Sequence, residues 1–174
     1  MTAEYAVQRT GTTQTYRPDI VLFVNGIPFS VIEAKRPDLE TTDNKSPLEQ
    51  AISQHLRNQQ PDGIMGLYIY TQVLGAICAN DAKFATTGTD PEYWSYWKEQ
   101  NPQDQQLSNL VNTPLGKEQK DKLFTGPYAY LKAWFEDKES QTVSVTTQDK
   151  LLYYVLHPEK LIELSQQFIV YDEG

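Results

Sequence analysis

The chain has 174 residues, 39% of them apolar and 22% charged, with a formal net charge of −8; that size suits one domain with its own core, and that composition is too apolar for a disordered chain. No run approaches the roughly 20 apolar residues that cross a bilayer, and the start, MTAEYAVQRT, lacks the regions of a signal peptide, so a cytoplasmic protein with no membrane partner is expected. Cys78 is the single cysteine, which excludes an internal disulfide and a thiolate metal centre and leaves it to fill core.

Residues 1–18, with the polar run TGTTQTY, read as an edge strand or a loose arm. Residues 20–24 and 27–34 are apolar on both alternating sets, the pattern of strands covered on both faces and central in a sheet. Asn25-Gly26 between them marks a hairpin, and its register decides which side chains meet. A two-residue turn would pair Asp19 with Ile32 and send Glu33 to the opposite face. A three-residue loop over Val24-Asn25-Gly26, with Gly26 left-handed as a bulge, pairs Asp19 with Val31 and sets Asp19, Glu33 and Lys35 on one face. The three-residue form is expected.

After a polar loop at 38–45, Ser46-Pro47-Leu48-Glu49 combines a capping serine, proline at the first helical position and glutamate three residues after the cap. The helix that follows carries Leu48, Ala51, Ile52, His55 and Leu56 on its apolar side, with Gln50, Gln54, Arg57 and Asn58 as a polar stripe, and ends at Pro61-Asp62-Gly63. Residues 64–70 and 73–79 read as two strands joined at Thr71-Gln72, with 83–86 as a third. Asp90-Pro91-Glu92 reads as a helix start that lays Tyr93, Trp94 and Trp97 on the sheet. Residues 100–116 read as a long loop, 117–124, 128–138, 147–156 and 158–166 as helices, and 168–171 as a last short strand. The class is α/β (α+β), a mixed central sheet flanked by helices, in a single domain over 1–174 with a catalytic core at about 17–87 and a helical and loop remainder at 88–174. The chain stops in YDEG without closing structure, as expected of a piece of a larger protein.

Two carboxylates on adjacent strands, with a lysine two residues after the second, form a chemical unit. Mg²⁺ takes oxygen ligands and keeps several waters, so Asp19, Glu33, the carbonyl of Ala34 and a phosphate oxygen would suffice to hold it. Lys35 would orient a water or offset charge on the phosphate, and the reaction would be phosphodiester hydrolysis. The net charge opposes tight DNA binding, which relies on Lys and Arg. Its distribution softens that: residues 1–60 hold seven acidic and six basic side chains, residues 61–174 sixteen and nine. No broad basic face is left, and a firm grip on DNA is expected to need further protein. His55, on the apolar side of its helix, reads as a packed histidine, His157 as structural before Pro158, and no Gly-x-Ser-x-Gly elbow is present.

The segment RPDIVLFVNGIPFSVIEAKRP, residues 17–37, resembles the nuclease segment of the restriction (R, motor) subunit of type I restriction-modification enzymes, whose N-terminal domain has the PD-(D/E)xK endonuclease fold. The likeness runs on more weakly to about residue 87. It implies a restriction-endonuclease-like sheet, Asp19 as the metal-binding acid, Glu33 as the second acid, Lys35 as the catalytic lysine and Gln54 as a supporting glutamine on the next helix, with Asn58 where that family carries a tyrosine. It also implies Mg²⁺ as cofactor, DNA as substrate and the specificity and methyltransferase subunits as partners. ATP would serve a downstream translocase, whose Gly-x-x-x-x-Gly-Lys-Ser/Thr loop this chain does not contain. Only 16 residues precede the RPD segment, so a supporting acid or DNA-contacting helix ahead of it is expected to be absent. The second reading is a nuclease-like module, inactive alone, that assembles the complex or guides DNA.

Overall fold

The structure, a computed structural model, describes residues 1–38, 45–98 and 104–167. The expected strand at 168–171 lies outside them, as do parts of the segments at 38–45 and 100–116. The chain divides into two compact units, one of Met1–Lys98 with Thr146–Gly174 and one of Glu99–Val145.

The first unit contains strands β1 (Thr2–Ala3), β2 (Val7–Gln8), β3 (Thr15–Tyr16), β4 (Ile20–Val24), β5 (Ile27–Lys35), β6 (Val73–Cys78) and β7 (Asp81–Ala85). Five form a sheet in the order β1-β4-β5-β6-β7, and β2 and β3 pair separately. All sheet neighbours are antiparallel except β5 and β6. A parallel pair needs a crossover long enough to return the chain, and helix α1 (Pro47–Asn58) provides it. Its start is the expected capping box: Ser46 Oγ accepts from the Glu49 N–H, and Glu49 Oε2 accepts from the Ser46 N–H at 2.7 Å.

The lack of alternation in β5 has the expected cause. Ser30, Val31, Ile32 and Glu33 are consecutive and all buried, because both sheet faces are covered. Val21, Val31, Leu74 and Ala76 share one core with Leu48, Ala51 and Ile52 of α1. Ile32, Val73 and Ala82 share the other with Leu151, Val155 and Leu161. These last residues come from the C-terminal segment, where helix α6 (Thr147–Lys150) runs into a π turn at Leu151–Val155 and α7 (Pro158–Gln167) follows. Helix α2 is Met65–Tyr68, and the second unit holds α3 (Asp104–Val111), α4 (Lys117–Leu123) and α5 (Lys132–Glu139).

Four expectations are corrected. The hairpin turn has two residues, not three: Asn25 and Gly26 have φ of 51° and 83°, the double left-handed pattern whose twist matches paired strands, and Val24 pairs with Ile27. The odd residue sits inside β5 instead. Phe23 pairs with Pro28 but Leu22 pairs with Ser30, which leaves Phe29 as a β-bulge. Pro28 has no N–H to give to the ladder, so regular pairing is weakest there. The Phe29 carbonyl accepts from the Gln72 N–H at 2.9 Å. Continued past Ile20 and Ile32, this register sets Asp19 opposite Glu33.

The expected strand at 64–70 is the short helix α2. Ile64, Leu67 and Tyr68 are buried, a spacing of three and four that belongs to a helical turn. Part of the expected loop at 100–116 is α3, whose Leu107 is buried. Within that second unit, Glu139 Oε1 accepts from the Leu115 N–H at 2.6 Å and its other oxygen pairs with Lys120, while the Asn112 amide bonds both ways to the Val143 backbone. Asp90-Pro91-Glu92 starts only a 3₁₀ turn, Pro91–Tyr93; Trp94 is buried and Trp97 stacks on Tyr154 with ring centroids 5.3 Å apart.

Two glycines near the end of α1 separate close packing from free space. A Cβ on Gly63 would lie 2.6 Å from the Asn58 carbonyl oxygen and 2.8 Å from that of Arg57, whereas one on Gly66 would meet nothing within 4 Å. Gly63→Ala should lower the unfolding free energy by about 1–3 kcal/mol. Gly66→Ala, inside a helix, should leave it unchanged or raise it by up to about 1 kcal/mol. Urea titrations of both variants check the pair, and equal effects would show that Gly63 does not abut the helix end.

Candidate active site

The bulge at Phe29 gives Asp19, Val21, Val31, Glu33 and Lys35 one common face, the one that α1 covers. Asp19 stands just before β4, after the buried Pro18. Its Oδ2 accepts from the Ala34 N–H at 2.7 Å, and its backbone carbonyl accepts from the Glu4 N–H at 2.8 Å, so the N-terminal segment helps hold it.

Glu33 is 0% exposed. A carboxyl so placed needs hydrogen-bond donors, and α1 brings them. Gln54 Nε2 donates to Glu33 Oε2 at 2.6 Å and Asn58 Nδ2 donates to Oε1 at 3.4 Å. Lys35 Nζ donates to Gln54 Oε1 at 2.5 Å. The Gln54 amide thus bridges acid and ammonium, and turning it over would break both bonds.

The structure therefore brings Asp19, Glu33, Lys35 and Gln54 together, with Ala34 between the second acid and the lysine. Burial above all, and then the negative charge of Asp19, push the Glu33 carboxyl up to about 8, while Lys35 pulls it down. Near neutrality the Glu33 carboxyl therefore keeps its proton. A cation in that place would relieve the same repulsion, so the donor set of two carboxylates with the Ala34 carbonyl fits Mg²⁺. Among the described residues no group of three or more His, Cys, Asp and Glu side chains gathers, so such a cation would complete its shell with other oxygens.

His55 is buried as expected, between the Tyr68 hydroxyl and the Gly75 carbonyl. Asn58, expected on the polar stripe of α1 and at the position where the resembled family carries a tyrosine, is 1% exposed. Tyr68, expected in a strand, lies in α2. Other neighbours carry no signal in the sequence. The Arg9 and Arg57 guanidiniums lie over the Tyr16 ring at 4.7 and 4.6 Å from its centroid, and Arg9 also binds Asp62. The segment read as an edge strand or loose arm does pair with the sheet edge through β1, and this stack ties it to the end of α1.

Residues 1–94 match the family described as type I restriction enzyme R protein N terminus. That span includes every residue of the site. A Methanocaldococcus jannaschii protein carrying the name of a type I restriction enzyme MjaIXP endonuclease subunit is 27% identical over 161 residues, which cover 90% of this chain and 13% of that protein. No solved structure matches. Among the described residues no helix is long and apolar enough to cross a membrane.

In the metal-free chain the Glu33 carboxyl titrates near 8 when folded and near 4.5 in its ordinary state. Its stabilising contribution is complete below about pH 4.5 and is lost as the pH rises through about 8. Glu33→Gln stays neutral, so its stability relative to the parent should rise between pH 5 and pH 8 by a few kcal/mol. The readout is the difference in urea-unfolding free energy at each pH. Taking that difference cancels His55, whose burial pushes it down to about 4 from 6.5 and whose contribution is lost on acidification. A difference that does not change with pH would refute a protonated Glu33.

Proposed function

The chain belongs to the family of type I restriction enzyme R protein N termini, and from that premise we propose that it is the Mg²⁺-dependent DNA endonuclease module of such an enzyme, with a site of the PD-(D/E)xK kind. The observation that carries the reading is the convergence of Asp19, Glu33 and Lys35 on one sheet face with Gln54 bridging acid and lysine. Asp19, Glu33 and the Ala34 carbonyl would hold the cation, which when bound would offset phosphate charge and lower the pKa of a water.

The chain's own groups do the positioning. The Ala34 N–H fixes Asp19, and Gln54 fixes one oxygen of Glu33 and one N–H of Lys35. Lys35 keeps two further N–H donors for a water or a phosphate oxygen. Exclusion of water around Glu33 strengthens these interactions.

The net charge of −8 argues that DNA is held mainly by other parts of a larger assembly. The chain spans 13% of the curated relative it matches. We assign ATP-driven translocation to sequence beyond this module, and target choice and modification to specificity and methyltransferase subunits. The same charge supports a second reading, in which the module is inactive alone and guides DNA or assembles the complex.

Asp19→Ala and Lys35→Ala should each reduce Mg²⁺-dependent nicking of plasmid DNA by about 100-fold or more, with circular dichroism unchanged. The comparison is made with this chain and with the complete motor-bearing complex. Equal cleavage by the substituted and parent complexes would overturn the site.

A further inference from the structure

The amide that reaches Glu33 Oε1 belongs to Asn58, and its direction is decided elsewhere. Gly75, in β6, supplies a carbonyl that can only accept. His55 Nε2 lies 2.9 Å from it and therefore carries the imidazole proton. Burial keeps the ring neutral, so Nδ1 is an acceptor, and it faces the Tyr68 hydroxyl at 3.3 Å. Burial likewise raises the Tyr68 phenol above its ordinary range, so it stays a donor. Its proton goes to His55, which leaves its oxygen to accept, and that oxygen meets the Asn58 side chain. On the far side Arg57 Nε and Nη2 donate to Asn58 Oδ1 at 3.4 and 3.2 Å. Asn58 is left with Nδ2 facing Tyr68 and Glu33.

We propose that the Gly75 carbonyl, His55, Tyr68 and Asn58 form a buried hydrogen-bond chain with fixed donor and acceptor roles, in which the Asn58 amide donates both to Tyr68 and to Glu33, and that this chain positions the Glu33 carboxylate for a divalent cation. The inference rests on the reading of Asp19 and Glu33 as ligands. Asn58 and Tyr68 act through Glu33 and are positioning residues. Each member is buried, and the roles set at the Gly75 carbonyl run back to Asn58, whose amide then turns one N–H to Tyr68 and the other to Glu33. Arg57 seals the other end by occupying the one oxygen with which Asn58 could have accepted.

The test uses the protein, labelled with ¹⁵N, and Mn²⁺ as the probe ion. Long-range ¹H–¹⁵N correlation of the His55 ring should show a protonated Nε2 and a bare Nδ1 at pH 7. In calorimetric titrations Tyr68→Phe and Asn58→Leu should each bind Mn²⁺ about 10–100-fold more weakly, the range for losing a group that orients a metal ligand. Tyr70→Phe, an exposed residue two positions on, should bind as the parent does. Tyr68→Phe keeps the ring and decides the matter if Asn58→Leu does not fold. A protonated Nδ1, or parent affinity in Tyr68→Phe, would overturn the hydrogen-bond chain. Failure of the parent to bind Mn²⁺ would overturn the ligand reading and that chain's role with it, and the His55 tautomer would then separate that failure from a wrong hydrogen-bond order.

Discussion

Glu33 carries a carboxyl into the middle of a sheet, where water does not reach, and sets it beside that of Asp19. A buried carboxyl costs several kcal/mol unless its oxygens are hydrogen-bonded, and the neighbourhood follows from that cost. Gln54 and Asn58 each give an N–H to one oxygen, and Lys35 lies beyond Gln54. An apolar residue in the same place would pack with fewer demands. Under the proposed function, the acid is kept at that cost because it serves a bound cation.

Helix α1 couples that site to the fold. It is the crossover that any parallel pair requires, and its buried side includes Leu48, Ala51 and Ile52 in the core under the sheet. Ala51 is small and fully buried, which lets the helix lie close to the strands. From that seat Gln54, His55 and Asn58 reach β5 and β6. Two layers of requirement thus fall on one element: apolar residues fix its distance from the sheet, and polar ones use that distance.

What the sequence made legible here was local chemistry and strand order. The acids, the lysine and the α1 capping box are short-range patterns, and the unbroken apolar character of β5 announced cover on both faces. The shared face of Asp19 and Glu33 was expected, but through the wrong device. A parity argument says that one odd residue is needed between them, not whether it lies in the turn or in the strand. Asn25-Gly26 favours the tight turn so strongly that the bulge moves to Phe29, and Pro28 was the unread clue. Tyr68 was missed because a short apolar run fits a strand or a buried helical turn equally well. Asn58 is named from the resemblance only as standing at the family's tyrosine position; its burial is not legible, because a helical wheel places it among polar residues and cannot know that a buried carboxyl lies beneath it. The Arg9–Tyr16–Arg57 stack joins segments distant in sequence and leaves no local signature.

The bulge at Phe29 also limits how this hairpin can drift in length. Side chains alternate along a strand, so one residue gained or lost between Asp19 and Glu33 turns one carboxyl away from the other, although the turn and the apolar runs would still look intact. Two residues gained or lost together restore the alignment. Gaps in this segment are therefore tolerable in even steps, and a single-residue gap marks either a compensating bulge or a chain in which the two acids no longer share one face.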